Sequence, residues 1–352
     1  MFLRKRNRSR HIPYGMFDLE RSAAEAKRFA KCERIYHRGQ ELAWDGKQIL
    51  QMLIDKHGRP QIPADTQRAL GRLFNIILWG ELAAWRISAQ LADRLEPLEA
   101  KMAATSQAHD EARHFYVMYD YLRAIGFEPE PMDRAPEALL ELVLDTDKLA
   151  YKLLGMQLMI ETLALTLFQT VRELNVEPVL SELLTYYERD EARHVGLGMQ
   201  YLPMLMKDMS RRQISMMLTF QCRVLFWAMW ENKQLEPDYE VLGIDAREVL
   251  ERGRRKQIAA LSEAFVALGI PFDRERNIAV QALNAAGELM FPTADTRGRP
   301  LRQLAAAWQA FRGPSEVVGT DEFDAHSAHD IVTARGAVAP AERGSDLLKA
   351  VS

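Results

Sequence analysis

The five-residue word DEARH occurs twice in this chain, at 110–114 and at 190–194, and this recurrence limits the possible folds more than any other feature. Each copy is preceded, at the same distance, by a glutamate inside an apolar stretch: Glu81 in IILWGELAAW and Glu161 in LMIETLALTLF. Corresponding positions are offset by 80 residues throughout. A repeat at one fixed offset implies duplication of a supersecondary unit, here a pair of helices.

Helix punctuation supports that unit. Apolar residues recur at helical spacing from about Asp65 to Leu95, and Pro97 opens a second segment that Gly126 can cap. A loop with Pro129, Pro131 and Pro136 is expected to separate the halves. A long segment should then run to about Leu174, and Pro178 should open another reaching at least Tyr201. Four helices of roughly 25–38 residues suit a bundle. An amphipathic leading helix is expected over Leu19 to Trp44, and packing helices near 210–232, 246–268 and 274–287. No strand-like alternation competes, so the predicted class is all-α: a four-helix bundle with additional flanking helices.

The carboxylates and histidines define the chemistry. Residues i and i+3 share a helix face. Glu111 with His114, and Glu191 with His194, can therefore each aim a carboxylate and an imidazole at one point. The inward stripe Leu70, Phe74, Ile77 leads to Glu81, and Leu154 and Leu158 lead to Glu161. An ionised carboxylate on such a stripe costs several kcal/mol unless it is paired or bound to metal. The nearest basic residue to Glu81, Arg86, points elsewhere, and no Lys or Arg lies one turn from Glu161. Bound cations are the simplest compensation. Glu, Glu-x-x-His, Glu and Glu-x-x-His from four helices is the stated ligand pattern of two-metal carboxylate bundles. Metal ligands are thus expected at Glu81, Glu111, His114, Glu161, Glu191 and His194.

Asp110 and Asp190, about 100° round the helix from their neighbours, are each expected to accept a hydrogen bond from the histidine of the other repeat, with Arg113 and Arg193 pairing to them. Trp85, Phe115, Leu165 and Phe168, at neighbouring turns, are the expected lining of an apolar substrate pocket.

On these residues the chain resembles the di-iron carboxylate oxygenases of the ferritin-like superfamily, among them the ribonucleotide reductase small subunit, bacterial multicomponent hydroxylases, acyl-carrier-protein desaturases and p-aminobenzoate N-oxygenase. The shared pattern is a Glu, a helix-length spacer and Asp-Glu-x-x-His, matched twice here with 28 residues between Glu81 and Asp110 and between Glu161 and Asp190. HRGQELAWDG near the N-terminus also looks like a segment preceding the bundle in some members. The resemblance implies two iron ions (Fe/Fe, with Mn/Fe as the variant), activation of O2, oxidation of a small organic substrate and an external electron donor, a ferredoxin or a reductase. It also sets departures in view. Met118 stands where the reductase subunit has its radical tyrosine, Tyr187 where the N-oxygenase has an extra histidine, and Leu165 where some hydroxylases have threonine. Tyr187 becomes the expected catalytic redox or hydrogen-bonding group. Alternative readings are a ferritin-like iron-oxidising protein and a radical-generating partner subunit.

Composition bounds the rest. A chain of 352 residues with 48% hydrophobic and 27% charged residues can bury a large core. A net charge of −3 and the lack of a basic face argue against nucleic acid. Cys32 and Cys222 form no disulfide or zinc pattern. No signal peptide or membrane span is read, so a cytoplasmic protein, with a homodimer as a plausible assembly, is expected. The expected layout is an N-terminal arm and leading helices over 1–62, the helical domain over 63–312 and a disordered tail over 313–352.

Overall fold

Four long helices, paired two by two, carry the repeat. In the computed structural model, which describes residues 24, 26–267 and 278–313, they are α3 (Ala64–Arg94), α4 (Leu98–Ala124), α6 (Leu149–Leu174) and α7 (Pro178–Met206). Short loops join α3 to α4 and α6 to α7, which makes each pair an antiparallel hairpin packed along its length. Around them lie α1 (Ala30–Glu41), α2 (Gly46–His57), α5 (Arg134–Asp145), α8 (Arg211–Gln234), α9 (Glu236–Leu242), α10 (Ala246–Ala267), α11 (Ile278–Met290) and α12 (Pro300–Arg312). No strand occurs among the described residues.

The ends follow local chemistry. Gly126 takes φ +83° just past α4, and the Phe127 N–H reaches back to the Leu122 carbonyl at 2.9 Å, closing the helix. Asn175 takes the left-handed conformation after α6. Pro178 then sits in the first turn of α7, where its missing N–H costs nothing, and the Glu177 carboxylate accepts from Val179 and Leu180 N–H at 3.0 and 2.7 Å.

Three expectations change in detail. The segment before Leu174 is two helices, because Thr146 to Lys148 leave the helical path between α5 and α6. Pro136 belongs to the first turn of α5 rather than to a loop, a position that tolerates proline. The leading helix ends at Glu41, with Trp44 beyond it and Asp45 capping a second helix, α2, through the Gln48 N–H. The expected start of that helix at Leu19 and the expected tail beyond Gly313 lie outside the described residues.

Helix α6 is long and apolar enough to cross a membrane by length and composition, yet most of it is buried between its neighbours. Its middle, Leu153–Ile160, is π-helical and ends one residue before Glu161. Such inserts re-aim the residues that follow them.

Two apolar clusters fill the bundle. One contains Ile87 and Leu91 of α3, Ala103 of α4, Leu154 and Leu158 of α6 and Leu202 of α7. The other contains Leu70 and Phe74 of α3, Leu122 of α4, Phe168 of α6 and Leu183 of α7. On every bundle helix the expected ligands fall between the segments that feed the two clusters. The six residues therefore form a polar layer inside a dry core. Close approach of α6 and α7 beside this layer depends on Gly198, where an added Cβ would lie 2.7 Å from the Gln157 Cβ. Gly198→Ala is expected to cost about 1–3 kcal/mol of unfolding free energy by overpacking. Chemical denaturation checks this; an unchanged midpoint contradicts it.

Candidate metal centre

Inside that layer the six side chains converge. One oxygen or nitrogen from each of Glu81, Glu111, His114 and Glu191 lie within 4.8 Å of one another, and so do those of Glu111, Glu161, Glu191 and His194. Glu111 and Glu191 belong to both groups, so each can bridge two ions. Glu81 with His114, and Glu161 with His194, complete one side each. The arrangement repeats the sequence duplication as an approximate two-fold.

The imidazoles are oriented for this task. His114 turns Nδ1 inward, 3.1 Å from Glu191 and 3.4 Å from Glu81, while its Nε2 lies 3.2 Å from Asp190. His194 turns Nδ1 inward, 2.9 Å from Glu191 and 3.1 Å from Glu111, with Nε2 3.5 Å from Asp110. Each histidine is thus held by the aspartate of the other repeat. An outer carboxylate of this kind fixes the ring and leaves the inner nitrogen free to bind.

The aspartates are themselves neutralised. Arg113 Nη2 lies 2.6 Å from Asp110 and 2.8 Å from Asp190, and Arg193 Nη2 lies 2.8 Å from each. All four side chains are buried. Two arginines balance two aspartates, which leaves four glutamates whose charge two divalent ions would cancel. Orphaned atoms point the same way. Glu111 Oε2, Glu191 Oε1 and His114 Nδ1 are buried without a hydrogen-bond partner and face the space between the carboxylates. Oxygen and imidazole donors in this number fit two iron or manganese ions.

Electrostatics without metal is frustrated. Burial and the charge of Glu191 push Glu81 and Glu161 well above the usual carboxylate range. Burial, the largest influence, would also raise Glu111 and Glu191, but His194 and His114 together, joined at Glu191 by a hydrogen bond with Glu161, hold both low. Burial would lower the histidines, yet the carboxylates, Glu81 first for His114 and Glu111 first for His194, hold them well above their usual value. Protons thus stand in for cations.

Several residues were not singled out in the sequence. Gln107, one turn before Glu111, donates from Nε2 to Glu111 and Glu161 at 3.0 Å each. Its place in the repeat corresponds to Tyr187, and that i−4 spacing was the available signal. Trp44 donates its indole N–H to Asp190 at 2.7 Å and lies under the Arg113 guanidinium. Tyr187, expected as a redox or hydrogen-bonding group, donates its hydroxyl to the His114 carbonyl at 2.7 Å, and its ring stacks on the His114 imidazole at 4.2 Å. It holds His114 in place and does not turn its hydroxyl toward the carboxylates.

An apolar cavity of about 120 Å³ reaches Glu81 and Glu161. It lies between the α3–α6 face of the bundle and the flanking helices α5, α8, α9 and α10, so its walls include Ile77, Leu140, Ile160, Ala164, Leu225 and Tyr239. None of the expected lining residues contributes. Trp85 is 40% exposed, because the 3.6-residue period keeps Ala84 and Ser88 on the inward face and swings Trp85 off it. Leu165 and Phe168 are buried on a different face of α6 from Ile160, Ala164 and Leu167, and Phe168 stacks on Phe74. Phe115, next to His114, packs against the second apolar cluster.

No family model matches the chain, and no curated protein does. Among solved structures the chain is similar to a variant of an R2-like ligand-binding oxidase with an aerobically reconstituted Mn/Fe cofactor. The TM-score is 0.52 at 15% identity, covering 66% of this chain and 93% of that one. The fold is ferritin-like. Within this ferritin-like bundle the buried carboxylate and imidazole groups can hold two metal ions.

Two outcomes follow for metal binding. Asp190→Asn is expected to weaken Fe(II) or Mn(II) binding by about 10–100-fold, and to destabilise the fold by roughly 3–5 kcal/mol through the arginines it leaves uncompensated. Metal titration and denaturation read the two effects separately. The raised groups, His114, His194, Glu81 and Glu161, stabilise the metal-free protein below their unfolded pKa values, and that stability is lost as pH rises. Glu111 and Glu191 run the other way, losing theirs as pH falls. Ions must displace the protons on the raised groups, so metal uptake should release protons and strengthen with pH. The rise in Tm on metal addition is expected to be larger at about pH 8 than at about pH 6. A pH-independent rise contradicts this.

Proposed function

We propose that this chain is an O2-dependent oxidoreductase that uses two iron ions, or a manganese and an iron, bound by Glu81, Glu111, His114, Glu161, Glu191 and His194 to oxidise a small, mainly apolar organic molecule. The observation that carries this reading is the cavity: it opens onto Glu81 and Glu161, so an organic molecule can lie against the carboxylate cluster. A centre that only gathered iron would have no use for an apolar chamber there. The similar solved structure, named as a ligand-binding oxidase with a Mn/Fe cofactor, supports the reading through its fold.

When bound, such a metal pair supplies reductive activation of O2. The protein's contribution divides by position. Glu111 and Glu191 are fully buried and belong to both donor groups, so they would hold both ions. Glu81 and Glu161 line the cavity and are the carboxylates with room to shift as charge changes. Gln107 tethers Glu161 to Glu111 through one amide group. The apolar walls limit water at that end, which strengthens every electrostatic interaction inside it.

Electrons need a path from outside. Trp44 is only partly buried, and the sequence Trp44 indole, Asp190 carboxylate, His114 imidazole is hydrogen-bonded at 2.7 and 3.2 Å. We assign this line as the entry for an external donor, a ferredoxin or a reductase.

Protein loaded with iron should consume O2 in a manner that depends on the organic compound offered. Equal uptake whatever is offered would count against an oxygenase. Trp44→Phe should keep the metal content and slow reduction of the loaded protein by an external donor several-fold. Unchanged reduction would remove Trp44 from the route.

A further inference from the structure

The cavity is apolar but for a few side chains, and most of those are engaged. Asn232 donates to the Ala246 carbonyl at 2.9 Å, Gln257 donates to the Met159 carbonyl at 3.2 Å, and Arg254 bonds Asn284. Glu81 and Glu161 belong to the metal cluster. Glu231 on α8 remains. Among the described residues no hydrogen bond or ion pair reaches its carboxyl, although it sits deep in the protein. It keeps some accessible surface and lines the cavity. Burial pushes it up to about 8. Tyr239 also lines the cavity, and burial together with Glu231 raises its phenol, which stays neutral and able to accept a hydrogen bond.

An unpaired carboxyl in an apolar wall is expensive unless something that visits the cavity pairs with it. We propose that Glu231, with Tyr239, is the recognition site for a basic amino group, so that the molecule taken into the cavity is an apolar amine whose body lies along the walls leading to Glu81 and Glu161. This rests on the reading of the cavity as the substrate chamber. A carboxylate ligand would bring no charge to compensate Glu231 when it ionises, and a simple alcohol could use the site only as one neutral hydrogen bond. A primary ammonium offers three donors and a compensating charge to one carboxylate and one phenol oxygen.

The test uses metal-loaded protein and three probes of matched size, hexylamine, 1-hexanol and hexanoate, with binding followed by calorimetry. Hexylamine is expected to bind at least about tenfold more tightly than 1-hexanol, the increment of a charge-assisted hydrogen bond. Glu231→Gln should abolish that preference while leaving 1-hexanol affinity and metal content unchanged. Equal binding of amine and alcohol, tighter binding of hexanoate, or an amine preference that survives Glu231→Gln overturns the amine assignment. The last of these would mean that the amine binds at the metals. Failure of all three probes to bind, or to change O2 consumption, overturns the chamber reading together with this inference.

Discussion

Four glutamates with no lysine or arginine partner among the described residues, buried in one layer of a helical bundle, are the constraint on which the rest of this structure depends. Each would cost several kcal/mol as an isolated buried ion, so four ionised together far exceed the 5–15 kcal/mol by which a domain is usually stable. The layer is tolerable only if positive charge enters it. Without metal, that charge is protons: the two histidines are held protonated and Glu81 and Glu161 are pushed toward the neutral form. Two divalent ions would cancel the four charges. The Asp110–Arg113–Asp190–Arg193 quartet adds no net charge while locking both imidazoles.

The fold is arranged to hold this layer in register. Each bundle helix feeds one apolar cluster on one side of the ligands and the other cluster on the far side. Sliding any helix by a residue would bury the wrong side chain in both clusters at once. Packing therefore positions the ligands, and the ligands explain why the packing is interrupted. The π-helical stretch in α6 ends immediately before Glu161, and Gly198 lets α7 approach that stretch. The cavity meets the layer on the side of Glu81 and Glu161, while the histidines stay on the dry side.

Much of this was legible in the sequence for a physical reason. Helical periodicity and an internal repeat are local signals. They brought Glu111, His114, Glu191 and His194 to one face, and the apolar stripes around Glu81 and Glu161 aimed those two at the same layer. The aspartate–histidine pairing across the repeat followed from the same two-fold logic. What could not be read depended on distant packing. Trp44 reaches Asp190 from 146 residues away, and Gln107 is conspicuous only once Glu161 is beside it. The cavity was misplaced because its walls come from α5, α8, α9 and α10, whose docking no local pattern gives. Trp85 and Phe168 lie on the right helices but on the wrong faces. Glu231, an unremarkable charge in the α8 sequence, gains meaning only from the cavity it lines.

Anomalous diffraction at the iron edge, from crystals of iron-loaded protein, tests the central claim most directly. The account requires two peaks per chain, both bridged by Glu111 and Glu191, one also bound by Glu81 and His114 Nδ1 and the other by Glu161 and His194 Nδ1. A single peak, or metal bound away from this layer with the carboxylates still protonated, would contradict it.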